Sequence, residues 1–328
     1  MIQRTIAGRQ VPAIGLGCMN LSHAYGQPPA EEEGARLLHR ALDLGVQHFD
    51  SAALYGFGRN EILIGKALSA CRDEFFLTSK CGMTGVNGRR VIDGRPETLL
   101  ATLNTSLANL QVDHIDLYYL HRWDKSVPIE ESVGAMARMV ESGRIGAIGL
   151  SEVSAGTLRK AHAVHPIAAL QTEYSLWSRN AEIAVLEACS ELDVAFVAFS
   201  PLARGFLAND ALDPADFHEK DIRRGMPRFQ ADHFHHNRKL QGEFAALARE
   251  SACTMAQLAL AWVLSRGENV HVIPGTTSNH HLAENVAAGE LALADEVLAR
   301  AGRLINQQTV SGARYADAIQ REIDTEEF

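Results

Sequence analysis

No stretch of this 328-residue chain stays apolar over the roughly 20 residues that a bilayer crossing needs, so no membrane-spanning helix and no membrane partner is expected. The opening MIQRTIAGRQ lacks the apolar core of a secretory signal. Positive charge is also scarce. The formal net charge is −9 and no basic run or stripe interrupts it, which argues against a nucleic-acid partner. The five cysteines, Cys18, Cys71, Cys81, Cys189 and Cys253, are odd in number and form no C-x-x-C pair. A disulfide framework is therefore not expected, and a reducing, cytoplasmic setting suits them. Linker-like tracts of Pro, Gly or Ser are missing, so one domain spanning residues 1–328 is expected. GLGCMN begins like a dinucleotide fingerprint but lacks the third glycine of G-x-G-x-x-G, which leaves a Rossmann domain unsupported.

What the chain does have is an alternation. Short apolar runs read as buried parallel strands at 14–19, 46–50, 75–80, 115–121, 145–151, 168–173, 194–200 and 270–275. Between them lie segments with helical three-and-four spacing, such as EEEGARLLHRALDLG (31–45), PETLLATLNTSLANL (96–110) and NAEIAVLEACSELD (180–193). Eight strands alternating with helices predict a (β/α)8 TIM barrel. Two pieces stand outside the pattern. RTIAGRQVPAI carries Gly8 between two short runs and predicts an N-terminal hairpin closing the barrel floor. Residues 201–238, polar and broken by prolines, predict a long functional loop or lid after strand 7.

In such barrels the chemistry lies at the C-terminal ends of the strands. Asp50 ends the second run, Lys80 the third and His121 the fourth; Ser151 and Glu152 follow the fifth, Gln171 and Glu173 close the sixth, and Ser200 closes the seventh. Alone, a strand-end Asp or Lys reads as half of an ion pair, Tyr55 as a packing aromatic and His121 as a half-buried histidine. Gathered on one rim, the four read as a catalytic group. An ammonium beside a phenol favours the phenolate, which predicts a Tyr55 pKa below its reference of about 10, with Asp50 keeping Lys80 charged and oriented. Tyr55 then serves as proton donor to a carbonyl oxygen that His121 orients. The hydride must come from a nicotinamide cofactor, since no side chain supplies one.

The segments GLGCMNLS, HFDSAALYGFGRNE, FLTSKCG, IDLYYLHRWD, GRIGAIGLSEVS, QTEYSLWSR, FSPLARGFL and VIPGTTSNHHLAEN, in this order, make the chain resemble an aldo-keto reductase over nearly its whole length. The resemblance implies a (β/α)8 barrel that uses NADPH to reduce an aldehyde or ketone reversibly, with Asp50, Tyr55, Lys80 and His121 as the catalytic tetrad. It assigns Ser151 and Gln171 to the nicotinamide carboxamide, Phe199 to stacking on the ring, and Ser200, Leu202, Arg204 and Gly205 to the pyrophosphate loop. Ile273, Gly275, Thr276 and Thr277 fit the family's turn at the adenosine, with Glu284 and Asn285 on the adenine.

Two departures bear on the cofactor. Glu152 stands where the family has asparagine, and a glutamate accepts but does not donate. Ser278, His280 and His281 stand where relatives clamp the 2′-phosphate with Arg or Lys, so NADPH is expected and NADH is possible, with Arg238 or Lys239 as candidates to reach across. A substrate pocket lined by Met19, Tyr25 and Trp123 with lid and tail residues suits a bulky apolar or ring-containing small-molecule carbonyl compound. DHFHH (232–236) is dense in imidazoles but lacks the spacing of a known metal site, and no metal is assigned. The competing expectations are a cofactor-binding, redox-sensing subunit with little turnover, and a metal-dependent barrel hydrolase using Asp50 and His121. The sequence sets no oligomeric state.

Overall fold

The structure, a computed structural model, describes residues 1–86, 88–209 and 211–328. The chain opens with an antiparallel hairpin, β1 (Gln3–Ile6) and β2 (Arg9–Pro12), turned through Ala7 and Gly8, both at positive φ. The expected alternation follows: β3 (Leu16–Gly17), α1 (Glu31–Asp43), β4 (His48–Asp50), α2 (Arg59–Leu68), β5 (Phe76–Cys81), a hairpin β6 (Met83–Val86) and β7 (Arg89–Ile92), then α3 (Pro96–Leu110). Next come β8 (Ile115–Leu120), α4 (Ile129–Glu141), β9 (Ile145–Ser151), α5 (Ala155–Val164), β10 (Ile167–Glu173), α6 (Val185–Glu191) and β11 (Ala195–Phe199). The chain finishes with α7 (Ala231–Glu250), α8 (Met255–Leu264), β12 (Val270–Val272), α9 (Asn279–Ala287), α10 (Asp295–Leu304) and α11 (Asp317–Gln320).

Eight strands, in the order β12-β11-β10-β9-β8-β5-β4-β3, pair in parallel. The sheet closes on itself where Gly15 N donates to the Val272 carbonyl at 2.8 Å and Val272 N to the Ala13 carbonyl at 2.9 Å. This is the (β/α)8 barrel. Strand alternation sorts its side chains into two apolar regions. Phe49, Tyr118, Leu120, Phe196 and Val272 face outward into the layer beneath the helices, whereas Phe76, Leu117, Tyr119, Val197 and Ile273 fill the barrel. Ile6 and Val11 of the hairpin belong to the inner group, so the hairpin plugs the floor as expected.

Three features depart from the sequence-based expectation. The 14–19 run yields only two strand residues, because past Gly17 the chain leaves the sheet and turns through a short 3-10 segment at Met19–Leu21. The β6–β7 hairpin was not foreseen; β7 is exposed along most of its length, so no apolar alternation announces it. The 201–238 segment is not one long loop: α7 begins at Ala231, and DHFHH lies in its opening turns. The segment is anchored by an aromatic cluster in which Trp177, from the connection after β10, stacks on Phe206 at 4.5 Å between centroids, with Phe217, Phe229 and, from α7, Phe234 buried around them.

Candidate active site

Closing the barrel gathers the strand ends on one rim, and the four expected residues meet there. Alternation turns Asp50 into the barrel while Phe49 packs outward on Phe75. Lys80 Nζ donates to Asp50 Oδ1, to the Ser51 carbonyl at 2.7 Å and to the Tyr55 hydroxyl at 3.3 Å. The other Asp50 oxygen accepts from Thr78 Oγ1 at 2.9 Å and from Gln171 Nε2 at 2.7 Å. Tyr55 is presented by the loop between β4 and α2. That loop is pinned by the buried Asn60, which accepts from Ser51 Oγ and donates to the Cys18 carbonyl and Ser22 Oγ. His121 follows β8 and sets its ring edge-on to Tyr55, centroids 5.8 Å apart at 86°.

Burial is the largest influence on Tyr55, Lys80 and His121 alike. It pushes the Tyr55 phenol above its ordinary range, and the opposing pull of Lys80 does not overcome it. The expectation of a lowered phenol pKa is thereby corrected: the group is a protonated acid at neutral pH. Burial lowers Lys80, but Asp50 and Tyr55 outweigh it and hold the ammonium above its usual value. His121 is held well below its ordinary value by burial, then by Arg122, Lys80, Arg90 and His23, so its imidazole is neutral. Among the described residues its buried Nδ1 has no partner.

A second polar network, not foreseen as such, occupies the neighbouring strand ends. Glu152, at positive φ just past β9, is fully buried, and both its carboxylate oxygens accept from Arg314 Nη2 at 2.6 Å. Glu173, at the end of β10, accepts from Arg204 Nη2 at 2.6 Å and from the Tyr315 hydroxyl at 2.7 Å. Although burial raises Glu173, Arg204 and Arg314 hold it well below the usual carboxylate range. Arg314 and Tyr315 belong to a C-terminal tail that straps across the rim. Farther along, Asp324 accepts from Ser154 and Thr157 hydroxyls at 3.0 and 2.7 Å, and Glu326 accepts from Ala155 N at 2.7 Å. The Glu152 carboxylate and the Arg204 guanidinium, both expected at the cofactor, are thus committed to protein partners.

The other expected residues fall as follows. Ser151 ends β9 and Gln171 lies two residues before the end of β10, beside the tetrad, and Phe199 ends β11, half-buried. After it the 200–205 loop coils tightly, with Ser200, Ala203, Arg204 and Gly205 all at positive φ; Leu202 lies within it. Ile273, Gly275, Thr276 and Thr277 form the turn from β12 to α9. There a Cβ on Gly275 would stand 2.8 Å from the Gly17 carbonyl, so only glycine fits. Ser278 caps α9 by accepting from His281 N at 3.4 Å; His281 is exposed, Glu284 half-buried and Asn285 buried, its Oδ1 without a partner among the described residues. Arg238 donates to the Leu212 carbonyl, and among the described residues no hydrogen bond ties it or Lys239 to this turn. Met19 sits half-buried on the rim. Tyr25 accepts from Arg204 and lies under Arg223, while Trp123 donates to the Val127 carbonyl and packs on the outer core. Of the DHFHH imidazoles, His233 bonds Ser311 and His236 the Thr309 carbonyl.

Comparison with known proteins places this architecture. A model of the aldo/keto reductase family matches residues 13–306. An aldo-keto reductase named yakc [NADP(+)] from Schizosaccharomyces pombe is 40% identical over 319 residues, covering 95% of this chain and 94% of its own. Among solved structures, a glycerol dehydrogenase from Gluconobacter oxydans superposes with a TM-score of 0.85 at 25% identity, covering 96% of this chain and 99% of its own. An aldo-keto reductase from Klebsiella pneumoniae in complex with NADPH does so with a TM-score of 0.72 at 26% identity, covering 95% and 100%.

Proposed function

The chain belongs to the aldo/keto reductase family, and from that premise we propose that it is an NADPH-dependent reductase of aldehydes or ketones, with Tyr55 as general acid and Lys80, Asp50 and His121 assisting. The observation that carries this reading is the buried contact of Lys80 with both Asp50 and the Tyr55 hydroxyl at the barrel mouth. NADPH supplies the hydride that the carbonyl carbon accepts. Ser151 and the carbonyl oxygen of Gln171 suit its carboxamide, Phe199 its ring face, the coiled 200–205 loop its pyrophosphate and the 273–285 turn its adenosine. The unpartnered Asn285 Oδ1 fits this assignment, because a buried amide oxygen calls for a donor that none of the described residues provides. Glu152 is not assigned to the cofactor, since Arg314 takes both its oxygens.

The protein's own part follows from the site's charges. The neutral His121 ring and the Tyr55 hydroxyl each donate toward the substrate oxygen and fix its direction. As negative charge grows there, the Tyr55 proton moves to it, and the Lys80 ammonium stabilises the phenolate left behind. The raised phenol pKa favours reduction near neutral pH; alcohol oxidation needs the phenolate and therefore a more alkaline medium. We assign the whole of 1–328 to one domain. No helix among the described residues is long and apolar enough to cross a membrane.

The test is Tyr55→Phe. Followed by loss of NADPH absorbance with a carbonyl panel, kcat should fall by about a hundredfold or more, while NADPH affinity from fluorescence titration stays within about twofold, because the phenol acts in the transition state. Equal loss of both would contradict the assigned role.

A further inference from the structure

Arg122, directly after His121, is a cation with no anionic partner among the described residues. Its Nη1 donates to the His121 carbonyl at 2.7 Å and to Ser151 Oγ at 3.3 Å, its Nε is buried with no partner, and among the described residues no carboxylate lies within ion-pair distance. The side chain is only half-buried, so it opens to the rim. Three other arginines of the rim have carboxylate partners, Arg204 in Glu173, Arg223 in Asp221 and Arg314 in Glu152, whereas Arg228 bonds the Gly312 carbonyl and Ser178 Oγ. The nearest acid in sequence, Asp124, is occupied by the Gly94 amide and by Ser126.

Arg122 is also not alone. Arg90 and His23 act on the His121 ring with it, and Arg59 acts on His23. Among the described residues the Arg59 side chain bonds the Gly56 carbonyl alone, and Arg90 shares Glu322 in an exposed pair. His23 is itself held below its ordinary value by burial and by Arg59 and Arg90, so the positive charge beside Tyr55 and His121 is that of Arg122, with Arg59 and Arg90 farther out. A half-buried guanidinium with an unused donor face has its strongest partner in a carboxylate or phosphate. Of the aromatic residues expected to line the pocket, Tyr25 accepts from Arg204 and Trp123 donates to the Val127 carbonyl.

We infer that the preferred substrates are carbonyl compounds bearing an anionic group, carboxylate or phosphate, which Arg122 binds while Tyr55 and His121 hold the carbonyl oxygen. This rests on the reductase reading above. Two pairs of compounds test it with NADPH: 4-carboxybenzaldehyde against its methyl ester, and glyceraldehyde 3-phosphate against glyceraldehyde. The anionic member of at least one pair should have a kcat/KM about tenfold higher, and which pair responds identifies the group. In Arg122→Met that ratio should fall toward one, with Arg122→Lys in between, and in the wild-type protein it should shrink as salt is added. Ratios near one for both pairs in the wild-type protein, or a ratio that survives Arg122→Met, would overturn the inference. If Arg122→Met does not fold, the wild-type ratios and their salt dependence decide the matter. Turnover of the neutral compounds without preference refutes only the anionic substrate; no turnover of any compound refutes the reductase reading and this inference with it.

Discussion

Replacing His271 by valine should remove a defined part of the protein's sensitivity to acid. His271 and His48 lie inside the barrel, fully buried, and none of their four ring nitrogens has a protein partner among the described residues. Burial, then the neighbouring His48 and Arg4, lowers His271 to about 3; burial, with Lys80 adding to it and Asp50 opposing, lowers His48 to about 4. In the unfolded chain each titrates near 6.5. Below that pH the unfolded chain takes up a proton that the folded chain refuses, so stability is lost as pH falls from about 6.5, down to about 4 for His48 and about 3 for His271. At 1.36 kcal/mol per pH unit, the span from about 6.5 to pH 5 costs about 2 kcal/mol for each residue. Urea unfolding at pH 7 and pH 5, followed by tryptophan fluorescence, measures the difference. His271→Val and His48→Leu should each reduce the stability lost between the two pH values by about 2 kcal/mol, and the double variant by about 4 kcal/mol. At pH 7, His271→Val should hold its stability, because it removes two unpartnered polar atoms from a strand interior. Variants that lose as much stability as the parent would show that these rings accept protons in the fold as readily as outside it.

Two further substitutions probe the tail and the adenosine turn. Arg314→Met leaves the Glu152 carboxylate buried without its partner, so unfolding experiments should show a loss of about 3–5 kcal/mol, most of it recovered in Arg314→Met with Glu152→Gln; a double variant no better than the single one would mean that the pair is not what holds the strap. Because Ser278 caps α9, a basic clamp belongs at the exposed His281: His281→Arg should tighten NADPH about tenfold by fluorescence titration and leave NADH nearly unchanged, whereas equal effects would place the 2′-phosphate elsewhere.

The barrel could be read from sequence because parallel strands buried on both faces leave uninterrupted apolar runs, and because a polar residue at the end of such a run has few reasons to be there. Asp50, Lys80 and Gln171 are cases of this kind, and the structure joins all three in one set of hydrogen bonds. The C-terminal strap could not be read in the same way. Arg314 meets Glu152 across 162 positions of sequence, and the tail that carries it has no periodicity and lies past the 13–306 stretch that the family model matches. One signal was present. Glu152 and Glu173 close buried strands, and a carboxylate placed there requires a cation from somewhere. The hairpin β6–β7 was missed for the opposite reason, since a strand exposed along most of its length leaves no pattern.

The phenol's direction of shift was also beyond sequence, because proximity to an ammonium is visible in the chain but depth of burial is not. The outcome has a consequence for catalysis. Lys80 does not face Tyr55 as a free cation: Asp50 stands against it and offsets part of its pull, and Asp50 is itself satisfied by Thr78 and Gln171. A bare ammonium strong enough to ionise the phenol would leave no proton to give at neutral pH. A balanced pair leaves the phenol protonated in the resting site, and its field becomes useful only when the proton departs and the oxygen turns negative. Asp50 thus limits Lys80 as well as holding it, and the protein keeps its acid charged with a proton until a carbonyl oxygen is ready to take it.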